Sequence, residues 1–214
     1  MWSGTASERV WMSSNWRRER DEFRDLLQSR DVLFSCEGTA ESVITGRLVQ
    51  EDRTLVPSSQ IVEDRDGRPF TTLRNIKDLQ REFFGVDYPH GLMIVRIKDN
   101  SPENFAIPRL YKDSVIYRDV ITRPEIEVLI LAREGQYRNW YQHGKTCCKP
   151  SEWCERELGF KQVKTYQFLK EYWNSADAIV DAIHEYDHLI GDHKHDQLNL
   201  SDLLNKSPLA QCWF

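Results

Sequence analysis

"VLFSCEGTAESVITGRL", residues 32–48, decides the fold. A short apolar run stops at Cys36, Glu37 and Gly38 follow, and Glu41 comes one helical turn later. The run has the length and the β-branched and aromatic character of a buried strand, and residues 39–50 then read as a helix. A strand passing straight into a helix opens an α/β unit. "LMIVRI", residues 92–97, is a second buried strand by the same signs, and it too ends in polar residues, Lys98, Asp99 and Asn100. "VIYRDVI", residues 115–121, reads as a third.

Working outward, Ser13 and Ser14 read as caps of a helix running to about Gln28, with Trp16, Phe23, Leu26 and Leu27 at helical spacing. Residues 51–71 are polar and carry the turn signals Pro57, Asp66-Gly67 and Pro69, which predict a loop with room for a short strand. A helix is expected around 73–85, and another over "RPEIEVLILAREGQYRNWY", residues 123–141, with Pro124 in its first turn. Pro150 and Ser151 open a further helix closed by Gly159; helices at 165–173 and 176–190 and a short one at 199–205 complete the chain. The expected architecture is a Rossmann-like α/β domain: a parallel sheet with flanking helices and a helical C-terminal extension. It divides into an N-terminal helix (1–30), the α/β domain (31–135) and a helical portion packed on it (136–214).

Composition narrows the function classes. The chain has 214 residues, 40% of them hydrophobic, enough for one sizeable core. Its 29 basic and 34 acidic residues give a net charge of −5, which excludes broad adhesion to polyanions but leaves room for a local basic groove. Five cysteines, an odd number, suit reduced thiols. No apolar run has the length of a membrane span, and the first thirty residues lack a signal-peptide centre, so a cytoplasmic protein with no membrane partner is expected.

In a parallel α/β sheet, ligands bind beyond the carboxyl ends of the strands. Glu37 and Asp99 follow the first and second strands at that edge; Gly38 would let the backbone turn sharply, and the helix carries Glu41 back over the same crevice. Three converging carboxylates repel unless a positive charge sits between them, and hard oxygen donors suit Mg²⁺ or Mn²⁺. Such an ion can clamp a phosphate and activate water. The same residues also have plain structural uses: a first-turn acid at Glu37 and turn chemistry at Asp99-Asn100.

An apolar strand ending in Glu-Gly-x-x-Glu, with a later apolar strand ending in Asp, resembles the TOPRIM domain of topoisomerases, primases and overcoming-lysogenization-defect nucleases. The matching segments are "SCEGTAE" and "MIVRIKD", within about residues 31–100. The chain is similar in particular to small stand-alone TOPRIM-like proteins linked to bacterial phage defence, in which "TRPEIEVLIL" (122–131) is also familiar. The resemblance implies that Glu37 acts as acid/base or metal ligand and that Asp99 binds the metal, with Glu41 in support. One departure stands out. The family's second strand ends in Asp-x-Asp, whereas Arg96-Ile97-Lys98-Asp99-Asn100 offers one acid, so another must complete a two-metal site; Glu125 and Glu127 are the candidates.

Two other motifs compete. "HEYDH", residues 184–188, matches the His-Glu-x-x-His of zinc peptidases, with His193 or His195 as a third ligand. Against it, Asp187 stands between the Glu and the second His, and the third-histidine spacing misses the longer pattern. On a helix over 176–190 both histidines fall beside the apolar stripe. Cys147, Cys148 and Cys154 lack the spacing of a zinc knuckle. "KQVKTYQFLK", residues 161–170, is locally basic with interleaved aromatics, so Lys161 or Lys164 can steady a phosphate.

The combined expectation is a Mg²⁺-dependent (or Mn²⁺-dependent) nuclease acting on DNA or RNA, a toxin-like effector of antiviral defence held by a regulatory protein partner or as a homo-oligomer. Glu37, Lys161 and Lys164 are its catalytic candidates, and Glu37, Glu41, Asp99 and Glu127 its metal ligands. The alternatives are a non-catalytic binding module on a degenerate TOPRIM fold and a zinc metallopeptidase.

Overall fold

Three parallel strands organise the chain in a computed structural model that describes residues 6–99, 104–191 and 197–205. Strand β1 (Asp31–Cys36) pairs with β2 (Leu92–Lys98), and β2 with β3 (Val115–Ile121), so sheet order follows sequence order. β1 and β2 are buried along their whole lengths, which is why both read as near-continuous apolar runs. Their side chains still alternate. Val32, Phe34, Cys36, Met93, Val95 and Ile97 enter the larger core, while Leu33, Leu92 and Ile94 enter a smaller one.

An all-parallel sheet needs both faces covered. Helix α2 (Thr39–Gln50) brings Ile44, Leu48 and Val49 to the larger core, and α3 (Ile76–Phe83) brings Leu79 and Phe83 to the smaller. The larger face also receives Phe23 and Leu27 of α1 (Ala6–Ser29) and the helices that follow β3: α4 (Val128–Arg133), α5 (Tyr137–His143), α6 (Pro150–Glu157), α7 (Tyr166–Tyr172) and α8 (Ala176–Ile190). α8 packs on both α4 and α2. A 3₁₀ turn at Leu200–Leu203 adds two more buried leucines. Among the described residues no helix is long and apolar enough to cross a membrane.

Four elements differ from expectation. α1 begins by Ala6, so Ser13 and Ser14 lie inside it rather than capping it. The short strand allowed for in residues 51–71 is reduced to isolated bridges: Thr54↔Leu204, antiparallel, and two parallel ones along β1, Val32↔Ile61 and Ser35↔Thr71. The Asp66-Gly67 turn (Gly67 φ 71°) and Pro69 interrupt any ladder between them. α3 is shorter, starting after Asn75, whose side chain accepts from the Lys77 N–H at 2.8 Å. The single helix expected over 123–141 is two helices preceded by an irregular segment. Arg123-Pro124 is cis and helical structure starts only at Val128. Gly135 (φ 66°) then ends α4, and the Gln136 N–H closes onto the Leu131 carbonyl at 2.8 Å.

Ile94, fully buried at the centre of the sheet, tests this packing. Ile94→Ala should cost about 2–5 kcal/mol in urea unfolding. Leu110→Ala, at a side chain 83% exposed, should change stability by less than about 0.5 kcal/mol.

Candidate active site

Register decides where the strand ends lie. Cys36 is level with Ile97, and the Glu37 N–H donates to the Ile97 carbonyl at 2.9 Å, carrying the pairing one residue beyond β1. Glu37 and Asp99 therefore leave the sheet at one edge, and the Asp99 N–H donates to Glu37 Oε2 at 2.9 Å. Thr122, just after β3, donates through its N–H (2.9 Å) and its hydroxyl (3.2 Å) to the Lys98 carbonyl. That anchors the irregular segment against the end of β2.

These strand ends enclose a cavity of about 260 Å³. Glu37, Glu41, Asp99, Glu125, Glu127 and Lys164 all line it, with Ile126 and the first residues of the β1–α2 turn. Lys161 is exposed in the turn before α7 and is not among the lining residues. Gly38 has an ordinary extended backbone (φ −140°), so the turn does not require glycine. A Cβ there would stand 2.8 Å from Glu41 Oε2, the far end of a flexible side chain that would have to shift.

The acids are not equivalent. Glu125 accepts from Ser151 Oγ at 2.9 Å and from Lys164 Nζ at 3.1 Å, and Lys149 Nζ lies 3.4 Å away. Burial works against its ionisation, yet these partners hold its carboxyl below the usual range. Glu127 is buried, and that burial pushes its carboxyl up against the pull of Lys164. Glu41, 8% exposed, is pushed up to about 7, chiefly by burial, with Glu127, Glu37 and Asp99 adding repulsion. For Lys164, burial favours the neutral form, but Glu127 and Glu125 outweigh it and hold the ammonium charged. Sequence reasoning missed Arg74, 3.5 Å from Glu37, and Lys149. Arg74 arrives on a loop pinned by the Ser35 hydroxyl donating to the Leu73 carbonyl (2.8 Å), a contact no local pattern announces.

By chemistry the donors fit a hard divalent cation, since all are carboxylate oxygens around one polar cavity. Among the described residues, no three His, Cys, Asp or Glu side chains are already gathered closely enough to hold a metal ion. His184 and His188 of the competing motif are exposed on α8, while Ile179 and Ile183 face the core; His193 and His195 lie outside the described residues. Cys147 is exposed, and burial pushes the Cys154 thiol up to about 12. No family model matches this chain, and no curated protein or solved structure is significantly similar to it.

Glu41 gives a pH test. Its carboxyl rises from 4.5 to about 7 on folding, so between those values the folded chain holds a proton that the unfolded chain has released. Stability must then fall as pH rises across that window. In chelator-treated protein, Glu41→Gln should raise stability at pH 8 by up to about 3 kcal/mol and leave it nearly unchanged at pH 4. Thermal unfolding at both pH values checks this; equal shifts at both would show that the carboxyl is not strained by its charge.

Proposed function

We propose that this chain is a TOPRIM-like, cation-dependent phosphodiesterase acting on nucleic acid. The observation that carries the reading is the convergence of Glu37, Glu41, Asp99 and Glu127 with Lys164 on one cavity beyond the carboxyl ends of parallel strands. Such crevices are where open α/β sheets bind their ligands. Glu41, Asp99 and Glu127 would hold Mg²⁺ or Mn²⁺, which when bound would supply Lewis-acid stabilisation of a phosphodiester. Lys164, kept cationic by Glu125 and Glu127, would hold a phosphate oxygen. Glu37, steadied by the Asp99 N–H and facing Arg74, would take a proton from the attacking water. The resemblance of "SCEGTAE" and "MIVRIKD" to TOPRIM proteins supports the same chemistry and extends the proposal to a phage-defence effector restrained by a partner.

A second reading keeps the fold as a binding module without catalysis. It is favoured by the end of β2, where Asp99 is the one acid and the neighbouring Lys98 is buried.

Glu37→Gln separates the two. It keeps the acceptor for the Asp99 N–H while removing the charge. Mg²⁺-dependent cleavage of single- or double-stranded DNA or RNA should fall by at least about 100-fold, with unfolding unchanged. Undiminished cleavage in the variant, or equal cleavage in excess chelator, would sink the catalytic proposal.

A further inference from the structure

A second concavity lies on the other side of Ile126, between the irregular segment after β3, α5 and α8. Cavities of about 600 Å³ and about 440 Å³ share Arg123, Tyr137, Tyr141, Lys145 and Tyr186, so they adjoin along one groove wall. Its wall is aromatic. The Tyr137 ring lies 5.8 Å from Tyr141 and 5.4 Å from Tyr186. Tyr186 is fixed by its hydroxyl donating to the Arg123 carbonyl at 2.6 Å. Tyr141 is 49% exposed, with Lys145 Nζ 4.0 Å above its ring.

The rim is basic. Among the described residues, Arg123, Arg138 and Lys145 line the groove and are exposed, against one acid, Asp187. On a chain of net charge −5 this local excess of positive charge selects an anionic occupant. Exposed aromatic faces beside cations are what unpaired bases and their phosphates require. Paired bases would not present their faces to Tyr141 or Tyr186, and two adjoining cavities exceed the needs of one compact ligand. Ile126 lines both this groove and the carboxylate cavity, so a strand lying in one passes beside the other.

We propose that the groove binds single-stranded nucleic acid and presents it to the carboxylate cavity across Ile126. This names the substrate of the phosphodiesterase reading and rests on it for the chemistry, though the groove's binding can be measured without cleavage.

The test is fluorescence anisotropy with labelled single-stranded DNA and RNA of about twelve nucleotides, in EDTA, across a salt series. Wild-type protein and Glu37→Gln should bind the single strands, and more tightly than a duplex of the same sequence. Tyr141→Ala should weaken binding roughly fivefold or more, while Tyr141→Phe, which keeps the ring, should restore it. Lys145→Gln should also weaken binding and lower the salt slope by about 0.7. Both positions are exposed, so thermal unfolding should be unchanged. Absence of binding by wild type, preference for duplex, or unaltered affinity in the Tyr141→Ala and Lys145→Gln variants would overturn the proposal. Groove-dependent binding with no cleavage by wild type would sink the phosphodiesterase reading alone. Glu37-dependent cleavage with affinity indifferent to Tyr141 and Lys145 would sink the groove alone.

Discussion

Parallel pairing is the constraint on which the rest of this structure depends. Because β1, β2 and β3 run in one direction, their carboxyl ends must share an edge, and whatever follows them in the chain meets there. With β1 and β2 buried along their lengths, that edge is where the backbone polar groups at the centre of the sheet first reach a cavity. Glu37 uses one of them, accepting the Asp99 N–H, so a side chain from one strand end is held by the backbone of the next. The contact is local, yet it exists only because the register puts Cys36 level with Ile97.

Among the described residues, the buried acids Glu41 and Glu127 at that edge are only partly balanced. Glu125 is satisfied by Ser151 and Lys164, with Lys149 close by. Lys164 also bears on Glu127, but its charge is divided among several acids. Glu41 is left as the strained member: buried, crowded by three other carboxylates, and raised to about 7. A structural salt-bridge network would place a cation beside each buried acid, since an unpaired buried charge costs several kcal/mol. Here Glu41 and Glu127 are both raised instead, Glu41 by burial and three neighbouring carboxylates and Glu127 chiefly by burial.

How much of this could be read from sequence depended on whether the information was local. β1, α2 and β2 were legible because strands buried on both faces read as near-continuous apolar runs and a strand passing straight into a helix is a local pattern, and Glu37, Glu41 and Asp99 came with them. Lys161 and Lys164 could not be told apart, because their orientation is set by an irregular turn in which Gln162 has φ 60°; only Lys164 reaches the cavity. Arg74 was invisible because a loop hung on Ser35 delivers it. "HEYDH" was legible as a pattern, but helix phase decides its meaning: Tyr186 turns inward to Arg123, and the histidines turn outward.

The segment after β3 shows why a plausible helix start failed where it mattered most. Had Pro124 opened a helix, residues two apart would sit about 200° apart around its axis. Glu125 and Glu127 could not then both line one cavity. In the irregular segment they do, and Ile126 between them closes off the aromatic groove beyond. The helical hydrogen bonds lost by starting α4 at Val128 are partly replaced at the strand end, where Thr122 donates twice to the Lys98 carbonyl. A short stretch without regular structure thus does what a helix could not: it adds two carboxylates to the strand-end cavity and makes one apolar side chain the wall between that cavity and the aromatic groove.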